Sequence, residues 1–144
     1  MRNKSLAFIV AMVVSGLLLS GCTGTSNTGF KALEREATET DTPPTGLKLE
    51  QFELEKVLLV AEANGKKYYL GGQGKQGRPS CLIVEAAEPY FSHSGCSDSI
   101  QGEMLRISGP DQKSAVLVSD GYDTKELESS GLTKIHPNIL VVAN

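Results

Sequence analysis

The stretch Val57-Leu-Leu-Val-Ala-Glu-Ala63-Asn64-Gly65-Lys66-Lys-Tyr-Tyr-Leu-Gly71 decides the fold class. Two runs rich in β-branched, aliphatic and aromatic residues flank Asn-Gly. That dipeptide is the strongest local signal for a two-residue hairpin, because a type I′ turn needs positive φ at both central positions. With Asn64 and Gly65 as the loop, the reading sets Ala61 against Tyr68, Leu59 against Leu70 and Glu62 against Lys67. The last pair brings opposite charges to facing positions, which supports an antiparallel ladder.

Working outward in the C-terminal direction, the same punctuation recurs. Residues 81–86 read as a strand, 87–90 (Ala-Glu-Pro-Tyr) as a four-residue turn, and 91–96 as the returning strand. That loop length places Cys81 directly opposite Cys96, Ile83 opposite Ser94 and Val84 opposite His93. Facing residues in an antiparallel pair lie within reach of a disulfide. The serine-rich returning strand belongs at a sheet edge, where polar residues discourage pairing with other molecules.

A third hairpin joins residues 103–108 to 114–119 across Gly109-Pro-Asp-Gln-Lys113. It sets Leu105 against Leu117 and Ile107 against Ala115. Asp123 and Glu126 have capping-box spacing for a short helix that Gly131 ends. Residues 138–142 (Asn-Ile-Leu-Val-Val) close the chain as a buried strand. The fold class is mainly β: a small antiparallel sheet domain of consecutive hairpins, with one short helix and one disulfide, over residues 51–144.

Upstream of the β signal the composition changes. Residues 23–46 are rich in Thr, Ser, Gly, Glu and Pro, too poor in large apolar groups to offset chain entropy. Residues 22–50 are expected to be a flexible tether. Phe30, Leu33 and Ala37 fall at helical spacing, which also fits a transient turn or a helix resting on a membrane. Leu47 to Glu55 fits either a strand or one helical turn.

The first 22 residues carry an address. Arg2 and Lys4 precede an apolar run from Leu6 to Leu19, followed by Leu19-Ser20-Gly21-Cys22. A basic start, a short apolar core and small residues before a cut describe a signal peptide, here residues 1–21. The Leu-Ser-Gly-Cys ending resembles a bacterial lipobox. The resemblance implies a diacylglyceryl group on Cys22 and cleavage between Gly21 and Cys22. The mature chain is then held on the outer face of the plasma membrane, and two acyl chains make a lasting anchor. Cysteine parity agrees: of three cysteines, lipid takes Cys22 and an oxidising compartment pairs Cys81 with Cys96.

The formal charge of −3 without a basic cluster argues against nucleic-acid binding. Gly72-Gln-Gly-Lys-Gln-Gly77 matches GxGxxG, but Arg78-Pro79 and a strand follow it. A dinucleotide site needs a helix there, so the reading is a loop between hairpins, with Lys75 and Arg78 as ordinary surface charges. His93 and Cys96 are separated by two residues, and the only other histidine is His136. With Cys96 committed to a disulfide, no zinc ligand set remains, and no cofactor is expected.

His93, Ser94 and Ser97, with Ser92, Ser99 and Asp98 nearby, are the one grouping that suggests a hydrolase or ligand-sensing pocket. Tyr68, Tyr69, Tyr90, Phe91 and Tyr122 would form a binding patch if exposed together. From Lys67 to Val142 the chain resembles small actinobacterial envelope lipoproteins. The matching residues are Tyr68-Tyr69-x-Gly71, Cys81-Leu82-Ile83-Val84, Gly95-Cys96-Ser97, Gly109-Pro110-Asp111, Val118-x-Asp120-Gly121 and Pro137-Asn138-Ile139-Leu140-Val141-Val142. That resemblance implies a disulfide-stapled β domain outside the membrane, with no assigned activity. The leading expectation is a non-enzymatic envelope module binding a protein or glycan. The alternative is a small extracytoplasmic hydrolase or sensor.

Overall fold

The computed structural model describes residues 30–73 and 78–143. The lipobox with Gly21 and Cys22, and positions 74–77 of the GxGxxG match, lie outside the described residues. Among the described residues, eight strands and one α-helix follow in order: β1 Lys56–Ala63, β2 Lys66–Gly72, β3 Ser80–Ala86, β4 His93–Ser97, β5 Glu103–Ser108, β6 Ser114–Val118, α1 Lys125–Ser129, β7 Leu132–His136 and β8 Ile139–Val142. They form two antiparallel four-stranded sheets, β1-β2-β3-β4 and β5-β6-β8-β7. β4 runs beside β5, and β1 beside β7. The two sheets pack face to face as a flattened, open barrel, with no strand ladder joining one to the other among the described residues, and side chains fill its interior.

Alternation along the strands builds that interior. Tyr68 and Leu70 from β2, with Leu82 and Val84 from β3, face Ala115, Leu117, Ile139 and Val141 of the second sheet. The outward residues of the second sheet, Val116, Val118 and Leu140, are covered by Leu127 of α1, with Leu132 and Tyr122 packed beside them. Both faces of β8 are thus buried, which explains its unbroken apolar run.

The hairpin arithmetic holds near each turn and slips at bulges. Asn64 and Gly65 take φ of 55° and 71°, and Ala61↔Tyr68 and Glu62↔Lys67 pair as expected. An extra residue at Val60 then shifts the ladder, so Leu59 faces Tyr69, and Leu58 rather than Leu59 faces Leu70. In the third hairpin Leu105↔Leu117 and Ile107↔Ala115 hold, and a second bulge lies between Glu103 and Leu105. The second hairpin keeps its register throughout: Cys81↔Cys96, Ile83↔Ser94 and Val84↔His93, with β4 at the sheet edge.

Three local expectations change. The α1 cap is Thr124, with no side-chain bond to the helix backbone. Asp123 instead accepts the Lys125 amide two residues on, an Asx turn that displaces the expected capping box. β7 is a strand that the apolar pattern conceals, because a bulge between Lys134 and His136 breaks its alternation. Leu47 to Glu55 resolves into a single 3₁₀ turn, Leu49–Phe52.

The largest departure is the expected tether. From Phe30 to Asp41 the chain is a strap docked on the barrel. Phe30 is 4% exposed and joins the interior core, with Ala32 and Leu33 packed against it. Arg35 grips the Asp41 carboxylate through two nitrogens, at 2.7 and 2.6 Å. The same two side chains bond one residue of the outer edge of β1. Asp41 Oδ1 accepts the Leu59 amide at 2.7 Å, and Arg35 donates to the Leu59 carbonyl at 2.9 Å. A carboxylate and a guanidinium thus stand where a neighbouring strand would place its carbonyl and amide. Composition underestimated this segment because one aromatic plug and one bidentate ion pair carry the docking.

Candidate functional site

The β1–β2 turn, the β3–β4 turn and the β5–β6 loop sit at one end of the barrel, as the strand registers require. The Asp120 and Asn138 turns lie at the other. Between the three loops is a small cavity of about 20 Å³, walled by Tyr68, Val84, Ala115 and Val141 and rimmed by Lys66 and His93. A space of this size holds one water-sized group.

The β5–β6 loop folds over this mouth and is fastened at two points. Asp111 pairs with Lys66 across the barrel and also accepts the Lys113 amide. The Lys66 hydrogen bond holds the Asp111 carboxyl below its usual range against the opposing effect of burial. Gly109 is the second fastening: a Cβ there would fall 2.6 Å from His93 Cε1, so only glycine lets the loop lie on the imidazole. Burial, and then Asp111, push the Tyr68 phenol above its usual value.

His93 Nδ1 stands 2.9 Å from the Phe91 carbonyl oxygen. Its Nε2 is buried with no hydrogen-bond partner among the described residues. The suggested grouping with Ser94 and Ser97 does not converge. His93 and Ser94 are adjacent on a strand and project to opposite faces. Ser97 is four residues further on, about 13 Å along the strand, and its hydroxyl accepts the Ser99 amide. These residues therefore cannot relay a proton to a shared nucleophile.

Cys81 and Cys96 stand at disulfide distance, with Cα atoms 4.0 Å apart. The aromatic residues divide. Tyr68 and Tyr69 are buried, and Tyr69 donates to Glu85 at 2.7 Å. Tyr122 packs on the α1 side. Tyr90 is 75% exposed, at the loop end, with its ring edge-on to Phe91 at 5.3 Å. No group of three or more His, Cys, Asp or Glu residues among those described could hold a metal ion, and no described helix is long and apolar enough to cross a membrane.

At the far end, Asp120 takes two donors: the Lys31 amide at 2.8 Å and Asn138 Nδ2 at 2.7 Å. Asn138, 2% exposed, also donates to the Val118 carbonyl. Burial lowers the neighbouring His136, with Asp120 opposing. A second concavity of about 470 Å³, on the outer face of the first sheet beside Pro43, Leu47, Leu54 and Val57, is an open depression. Its two acidic residues, Glu50 and Glu53, belong to the segment that borders it.

Sequence reasoning missed Lys66, Gly109 and Asp111 as a unit, since no spacing rule joins the first hairpin to the third. Gly109-Pro110-Asp111 was visible as a turn and as one of the resemblance motifs, with no link to Lys66 or His93. No protein family, curated protein or solved structure matches the chain.

Proposed function

We propose that the protein is a lipid-anchored extracytoplasmic module that binds an envelope protein or glycan without chemistry of its own. The observation that carries this reading is the fastening of Lys31 to Asp120. It fixes where the chain departs for Cys22: at the barrel end opposite the three loops. From Cys22 to Phe30 is eight residue steps, at most about 27 Å of extended chain. The freely tethered alternative, 24 residues long, has an r.m.s. span of roughly 25–30 Å and a far longer reach. An anchor on Cys22 therefore holds the domain close to the bilayer, with the barrel mouth, Tyr90 and the loops turned outward.

The test is the mass of the mature N-terminus from membranes, with a Cys22→Ala chain beside it. A diacylated Cys22, and a variant that is released or left unprocessed, support the reading. An intact Met1 with a free thiol at Cys22 in wild-type membranes contradicts it.

A further inference from the structure

The two asparagines among the described residues stand in opposite surroundings. Asn138 is 2% exposed, its side-chain amide donates to Val118 and Asp120, and its N–H donates to His136 Nδ1. Asn64 is exposed at the tip of the first hairpin and is followed by Gly65, also exposed. No hydrogen bond holds the Asn64 side-chain amide or the Gly65 N–H among the described residues. The two-residue loop accounts for the second: the ladder closes at Ala63↔Lys66 and leaves the amide between them unused. The Cβ position of Gly65 faces open space, with no atom within 4 Å.

Such a turn is open to attack by its own backbone. The Gly65 nitrogen and Asn64 Cγ are placed by the chain to close a five-membered ring, which makes the step intramolecular. Glycine has no Cβ to crowd the approach. Ring closure requires the Asn64–Gly65 peptide to rotate, and the open space beside Gly65 permits it. Gly65 gives its amide proton to hydroxide, the N–Cγ bond forms and the Cγ–Nδ2 bond breaks. The departing nitrogen takes a proton from water and leaves as ammonia. Water then opens the succinimide at either carbonyl, giving aspartate or isoaspartate, and nothing is oxidised or reduced. We infer that Asn64 is a site of spontaneous deamidation, at which water converts the neutral tip of the β1–β2 turn into a carboxylate.

The fold selects this position over its nearest rival. Asp120-Gly121 has the same open space beside its glycine. Both Asp120 oxygens accept hydrogen bonds, from the Lys31 amide and Asn138, and an ionised carboxylate is a poor electrophile. At Asn64 the new charge lies on the rim that this residue shares with Lys66 and Lys113, where it competes with Asp111 for Lys66. The two products act differently on the hairpin. Aspartate suits the same turn as Asp-Gly. Isoaspartate routes the main chain through Cβ, and the longer loop no longer matches its strands. The step acts on no other molecule, so it goes beyond the binding reading without resting on it.

The experiment is incubation of the full-length chain in a phosphocholine detergent and warm, mildly alkaline buffer, folded and in urea. Tryptic peptide 57–66 carries Asn64 and peptide 135–144 carries Asn138, and a digest at time zero subtracts conversion during handling. The folded chain should gain about one dalton at Asn64, at least about tenfold faster than at Asn138. Isoaspartyl methyltransferase should label peptide 57–66 and leave 135–144 unlabelled. Asn64→Asp should fold, keep the Glu62 and Lys67 amides protected and show no mass gain in peptide 57–66. A folded chain that keeps Asn64 intact while the urea-held chain converts half of it means that the turn shields the side chain, and it overturns the proposal. So does conversion of Asn138 in the folded chain at a rate comparable to Asn64. None of these readouts depends on lipid at Cys22, so the anchoring reading and this one can fail separately.

Discussion

The first sheet has two outer edges, and the chain protects them by opposite means. At β4 the guard is local: Cys96 faces Cys81 across a tight hairpin, and the strand carries serines. At β1 the guard comes from 18 and 24 residues upstream, where Asp41 and Arg35 bond the Leu59 amide and carbonyl and Phe30 fills the core. The contrast teaches where information about an edge resides. A hairpin staple is encoded in one continuous stretch, whereas a docked strap is encoded in a few residues scattered through a polar one.

The largest expected effect is on the strap side. Phe30→Ala empties a core position and should cost about 3–5 kcal/mol, read by urea unfolding. A loss below about 1 kcal/mol would mean that the strap is an ornament on an independent barrel, and the comparison would break. Replacing Cys81 and Cys96 together with Ala should cost about 3 kcal/mol, the chain-entropy value for a loop of about 15 residues. The β1 edge lies three strand spacings from Cys96 on β4 and two from Cys81 on β3, about 14 and 10 Å. Combining these changes should therefore give the sum to within about 0.5 kcal/mol. Strong non-additivity would show that the two guards share a common support.

Acid sharpens the comparison next, because only one guard titrates. The Arg35 hydrogen bond, with help from the Thr38 and Leu59 amides, holds the Asp41 carboxyl far below the usual carboxylate range against burial. A depressed folded-state value means that the unfolded chain takes up the proton first. The strap's contribution is present above the unfolded value, near 3.9, and fades as pH falls through and below it. The pair Cys81–Cys96 has no such dependence. Unfolding of Asp41→Asn should show a flatter acid limb than wild type, and equal limbs would remove Asp41 from the account. Smallest of all, Tyr90→Ala should leave stability within about 0.5 kcal/mol of wild type.

How much of this was legible follows the same division. The turn at Asn64-Gly65, the register of the second hairpin and the apolar closing strand were all readable, because each depends on residues adjacent in sequence. The β7 strand and the Leu59 register were not, since a bulge is a tertiary adjustment that shifts a ladder without changing composition. Phe30 and Leu33 did signal at helical spacing, but nothing in the sequence named the slot that receives them. The mouth joins Lys66, His93 and Asp111 from three hairpins, and only the packing of one sheet on the other brings them together.

The most direct test is amide hydrogen exchange at Leu59 in the full-length protein. Its N–H points away from β2 toward Asp41, so it has protection only if the strap is docked. The account predicts exchange at Leu59 as slow as at the neighbouring core amides, and fast exchange there in Asp41→Ala with the Cys81–Cys96 hairpin unchanged. A wild-type Leu59 amide exchanging at the rate of an open strand edge would contradict it.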